Sequence, residues 1–163
     1  MSIESRISEL GLTLPDVPPP AGSYVNCSRS GNLLYLAGGL PPLDDETYKG
    51  KVPSDTSVEV AQEAARLITL NRLAAVKAEI GDLDKITRIV NVGGFVNSEP
   101  DFYLHPAVIN GCSDLLVEIF GEKGIHSRTA MGAAALPLNA SVEINMIIAV
   151  SYTHLTLPTT PYV

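Results

Sequence analysis

Arg128 is the residue of this chain whose surroundings best suit chemistry. It opens an extended run, residues 128–136, in which Arg128, Ala130, Gly132 and Ala134 share one face. The other members of that face are small, so there is room beside the guanidinium for either a ligand or a second subunit. A planar guanidinium grips a carboxylate through two parallel charge-assisted hydrogen bonds. The next run, residues 141–150, puts Val142, Ile144, Met146, Ile148 and Val150 on one face and Glu143, Asn145, Ile147 and Ala149 on the other. One carboxylate among apolar residues is not the pattern of a plain solvent face.

Between the two runs, Pro137, Leu138, Asn139 and Ala140 read as the loop of a hairpin, with Leu136 opposite Ser141 and Glu143 opposite Ala134. Arg128 then lies roughly 20 Å further along the pair, at ~3.3 Å per residue. In that register the two side chains share a face but cannot touch within one chain. A site that uses both must be completed by a neighbouring subunit.

Taken singly, each of these residues has an ordinary explanation. A lone arginine at a strand start is commonly a surface ion-pair partner, Glu143 a solvated edge residue, and Tyr24 a half-buried strand tyrosine. His105 and His126 have no evident partner and read as structural or exposed. The pairs Gly38-Gly39 and Gly93-Gly94 do not open helices as a phosphate-binding loop would, and backbone bends or close packing account for them better. No Ser-His-Asp or Cys-His arrangement stands out.

The elements that would position these side chains are legible from their punctuation. Ile3, Ile7 and Leu10 fall on one helical face, with Ser2 as N-cap and Gly11 as stop. Four prolines in TLPDVPPPAG forbid regular structure and make an extended arm. Strands are expected over 24–28 and 33–37, with a turn at Ser30-Gly31-Asn32 and a weaker strand over 48–52. A long helix is expected over 57–80, opened by a Thr56/Glu59 capping box and closed by Gly81; Val60, Ala64, Leu67, Ile68, Leu73 and Ile80 form its apolar stripe. A strand over 87–95 and a helix over 107–122, just after Pro106, precede the two final runs. This alternation argues for α+β or α/β with some parallel pairing, and α+β is the expectation: a mixed sheet with two helices on one face.

Composition narrows the partners. The chain has 163 residues, one domain's worth, and is 45% hydrophobic with only 18% charged residues. So little charge implies apolar surface that is either exposed or covered by another subunit, which points toward an oligomer. The net charge of −7, with 11 scattered basic residues, disfavours nucleic acid. No apolar run approaches the ~20 residues that span a bilayer, so a membrane partner is disfavoured as well. Cys27 and Cys112 match no metal spacing and read as free buried thiols, so a cytoplasmic location is the expectation. Residues 1–150 read as one domain with an N-terminal helix and a proline-rich arm. Residues 151–163 (SYTHLTLPTTPYV) read as a non-native or disordered tail, which takes His154 out of consideration.

Two segments, SGNLLYLAGGLP and HSRTAMGAAALPLNASVEINMIIAV, resemble the early strand and the C-terminal signature of the reactive intermediate deaminase (Rid, YjgF-type) family. VNSEPDFYLHPAVINGCSDLLVEIFGEKG resembles a divergent branch of it, and the likeness spans about residues 20–150. The resemblance implies a chorismate-mutase-like fold, assembled as a homotrimer with ligand clefts between subunits. It also implies cofactor-independent hydrolysis of 2-imino or 2-enamino acids, such as 2-aminoacrylate, to 2-keto acids and ammonia. Arg128 would bind the substrate carboxylate, Glu143 would orient water, and Tyr24 would relay a proton or shape the wall. Asn110, Thr129, Ala130, Ala37 and Gly38 would complete the binding surface, and no metal is implied.

This chain departs from the family pattern at three positions. Ala37, Gly39 and Ala130 stand where many deaminases carry Ser, Gln and Cys. Carboxylate binding is therefore better supported than deamination, and a binding module that uses the same clefts without turnover is the alternative.

Overall fold

The computed structural model describes residues 1–151; the tail expected at the C-terminus lies, but for Ser151, outside the described residues. Ser2 accepts a hydrogen bond from the Ser5 N–H and starts helix α1, Ile3–Glu9. The arm then runs without regular structure to strand β1, Cys27–Ser30, and Gly31 at φ 61° turns the chain into β2, Leu33–Gly39. Tyr24 therefore precedes the first strand instead of opening it. The weak strand expected over 48–52 is reduced to isolated bridges at Lys49 and Val52.

Helix α2, Val58–Ile80, is capped one residue later than the sequence suggested. Ser57 accepts from the Val60 N–H, while the Thr56 hydroxyl is turned the other way and donates to the Lys49 carbonyl at 2.7 Å. Gly81, at φ 84°, ends the helix as expected. Helix α3, His105–Phe120, has Pro106 in its first turn, where a missing N–H costs nothing. Both helices cover the sheet face that carries Val142, Ile144, Met146 and Ile148, all essentially fully buried. Gly111 lets α3 approach α2 closely, since a Cβ there would run into the Gln62 carbonyl.

The five-stranded sheet has the order β1-β2-β5-β3-β4, where β3 is Ile86–Asn97, β4 is Ser127–Ala133 and β5 is Val142–Val150. The hairpin expected between the last two strands does not form. β4 instead pairs in parallel with β3, with Val92 opposite Arg128 and Asn97 opposite Ala133. β5 inserts antiparallel between β2 and β3. The reason lies in the side chains. β5 is apolar on one face and mostly half-buried on the other, which suits a central strand, whereas β4, apart from Met131, is made of small and polar residues that suit an edge. The turn at Leu138 and Asn139, both at positive φ, carries the chain across the end of β3, where Asn97 donates to the Ser141 and Ala140 carbonyls.

The new register also corrects the shared face. Arg128 is level with Val92, and Val92 with Met146; both of these point into the core beneath the helices. Arg128 thus lies on the helix face. Glu143 alternates with the buried residues of β5 and lies on the opposite face, level with Phe95.

Candidate functional site

On the β4 edge, the Arg128 guanidinium is held by helix α3. Nη1 donates to Asn110 Oδ1 at 2.8 Å and to Ser113 Oγ at 3.1 Å, and Nη2 donates to the Pro106 carbonyl at 3.4 Å. A second tier holds Ser113. The His126 Nδ1–H donates to the Gly124 carbonyl at 2.6 Å, leaving Nε2 to accept from the Ser113 hydroxyl at 2.9 Å. The serine lone pairs are thereby turned toward Arg128. Of the five N–H groups of a guanidinium, three have partners here and all three acceptors are neutral. Among the described residues no carboxylate makes an ion pair with Arg128. The cation is fixed in place and its charge is not compensated.

Asn110, Ala130 and Arg128 gather on this helix face, while Thr129, level with Gly93 and Asn145, is exposed on the other. β4 is an edge strand, so the alternate backbone groups along it that face away from β3 have no strand partner within the chain.

The remaining candidates lie elsewhere. Glu143 packs against Gly38, where a Cβ would collide with its carboxylate. It is half-buried, and that burial raises its pKa above the ordinary carboxylate value. Tyr24 is exposed; its hydroxyl accepts from the Ala21 N–H at 3.4 Å. Together with Gly38 it borders a cavity of about 530 Å³ between the arm, β2 and α2. The Ala37 N–H donates to the Asn26 carbonyl. The candidates thus fall apart: Arg128 and Asn110 lie on the β4 edge, Glu143 meets Gly38 on the sheet face away from the helices, and Tyr24 borders the cavity on the helix side of β2. The fold of one chain does not merge them.

Ser113 and His126, which has no evident partner in the sequence, are paired only by the fold. Their contact joins a helix to the segment just before a strand, and no local spacing announces it. His105 is bonded to Ser98 at 3.1 Å and meets the Phe102 ring edge-on, a structural role. Cys27 and Cys112 are buried free thiols, with burial pushing them up to about 11 and about 12. Among the described residues, no cluster of three His, Cys, Asp or Glu side chains is arranged to hold a metal, and no helix is long and apolar enough to cross a membrane.

This fold and chain belong to a known family. Residues 4–150 match the family described as "YjgF/chorismate_mutase-like, putative endoribonuclease", and the protein is a member of it. It is 37% identical to protein TCP17 of Trypanosoma cruzi over 148 residues, 90% of this chain and 92% of that one. It is 30% identical to a 2-iminobutanoate/2-iminopropanoate deaminase of Dermatophagoides farinae over 141 residues, 85% of this chain and 94% of the relative. The crystal structure of Atu1372 from Agrobacterium tumefaciens superposes with a TM-score of 0.82 at 46% identity, covering 91% of this chain and 92% of that one.

Proposed function

We propose that this protein hydrolyses reactive 2-imino or 2-enamino acids to 2-keto acids and ammonia, in clefts that form where the β4 edge of one subunit meets the β2 side of the next in a homotrimer. The carrying observation is the guanidinium of Arg128, fixed by Asn110 and Ser113 yet lacking a counter-charge. A substrate carboxylate supplies that charge through the N–H groups still free. Asn110 and the β4 backbone around Thr129 and Ala130 hold the substrate in register.

Glu143 of the partner subunit takes a proton from water as the oxygen adds to the imine carbon. The carbinolamine so formed collapses, the C–N bond breaks, and ammonia leaves with a returned proton. Tyr24 shapes the wall or passes that proton. An imine is intrinsically labile, so positioning is most of what the site supplies. The relative from Dermatophagoides farinae, a 2-iminobutanoate/2-iminopropanoate deaminase, supports this reading.

Ala37 and Ala130 favour a second reading, in which the same clefts bind a small carboxylate metabolite without turnover. Neither offers a side-chain polar group to the amino end of a substrate. Ammonia release from enzymatically generated 2-aminoacrylate decides between the two. The first reading expects turnover that Arg128→Ala abolishes while the fold persists. Binding of a 2-keto acid with no ammonia release would leave the second.

A further inference from the structure

We propose that the cavity beneath the proline-rich arm is a second ligand site, which takes a small carboxylate with an apolar body and anchors it on Arg72. Arg72 sits in the middle of the buried face of α2 and is only 3% exposed. Its Nε and Nη2 both donate to Asn71 Oδ1, at 3.0 and 2.7 Å, and Nη1 donates to the Ala37 carbonyl at 2.9 Å. One N–H on each of Nη1 and Nη2 is left. Every acceptor is neutral, and among the described residues no carboxylate stands within ion-pair distance. A charge this deep is ordinarily paired, because desolvation penalises it otherwise. That penalty already pulls the Arg72 pKa below its usual value; the groups opposing the pull are the Cys27 thiol and the Tyr24 phenol, and no carboxylate is among them.

Space for a counter-ion lies beside it. Arg72 and Asn71 line the cavity of about 530 Å³, whose walls include Pro15, Pro18, Leu40 and Leu67. That volume is within the usual few hundred to 1,000 Å³ of small-molecule sites, which combine apolar walls with a few polar anchors. Asp16 is the acid on the wall; it is exposed on the arm and makes no ion pair with Arg72. Gly39 holds the arrangement open, since a Cβ there would stand 2.7 Å from Arg72 Nε. Its neighbour Gly38 meets Glu143 on the other face of β2, so the Arg72 anchor and the Glu143 carboxylate are on opposite sides of the sheet. The site does not depend on the imine chemistry proposed above, although Tyr24 and Gly38 border its cavity.

The test is calorimetric titration of the full chain with 4-phenylbutanoate and with the uncharged 4-phenylbutan-1-ol. The acid is expected to bind at least about tenfold more tightly than the alcohol. Arg72→Met is expected to erase that preference, and Arg128→Ala to leave it intact, which separates this site from the β4 edge. Equal affinity for acid and alcohol, or no binding of the acid, would overturn the proposal using the unmutated protein alone. So would an unchanged preference in Arg72→Met, or its loss in Arg128→Ala.

Discussion

Arg128 Nη1 donates to Asn110 Oδ1 across 2.8 Å, and this bond ties the edge strand β4 to helix α3. The amide sets where the guanidinium points but leaves its charge free. Removing it should therefore cost positioning more than chemistry. Asn110→Ala is expected to raise KM for an imino acid about three- to tenfold, the worth of one ordinary hydrogen bond because Ser113 and Pro106 still hold the guanidinium, with kcat within about twofold. Ser113→Ala, which removes the other Nη1 acceptor, should behave alike. Steady-state kinetics at saturating and limiting substrate separates the two parameters.

Glu143 gives the pH dependence its sign. Burial raises its pKa, so in the folded chain its ionised form is disfavoured relative to the unfolded chain. As pH rises from the ordinary carboxylate value through the raised one, the unfolded state gives up its proton first and folding stability falls. The proposed water activation needs the ionised form, so activity is expected to rise over the same window. Glu143→Gln is expected to abolish turnover and to stabilise the fold at neutral pH, by at most about 1 kcal/mol given its partial exposure to solvent. Thermal melts at pH 4 and pH 7, beside rate profiles, check both. A variant less stable than the parent at pH 7 contradicts this.

The elements of this fold were readable because each carries its own punctuation. Gly31 and Gly81 turn or stop the chain, Pro106 starts α3, and the β-branched run of β3 reads as a strand. Strand pairing was not readable in the same way. Residues adjacent in sequence across a short loop suggest a hairpin, but β5 has apolar or half-buried residues on both faces and so displaced β4 from its side. That one misplacement also put Arg128 and Glu143 on a common face. Spacing singles out Arg128 and Glu143 and family resemblance supplies the other candidates, whereas their separation in space follows from topology. Arg72 stands out in the sequence as a single cation between Ile68 and Val76 on an otherwise apolar helical stripe.

The close approach of the two helices rests on Gly111. A methyl group there would meet the Gln62 carbonyl, which belongs to the backbone of α2 and cannot swing aside. Gly111→Ala is expected to cost about 1–3 kcal/mol, as overpacking does, despite the better helix propensity of alanine. Denaturant titration measures it. A neutral or stabilising result would mean that α3 slides on α2 without penalty, and Asn110, its neighbour on α3, would then no longer be a fixed support for Arg128.

Completion of the cleft between subunits makes a prediction no single mutant can make. In the proposed ring of three, each cleft would take Arg128 from one subunit and Glu143 from the next. Arg128→Ala and Glu143→Gln chains are each inactive alone, for want of opposite halves. Refolded together in equal amounts, they form rings in which any mixed trimer has one cleft with both native residues. Random mixing leaves three trimers in four mixed, so about a quarter of the native activity returns. If the two residues served one cleft within one chain, every cleft in the mixture would lack one of them and nothing would return. Ammonia release by the mixture, set against the same two chains refolded separately and then combined, reads the difference directly.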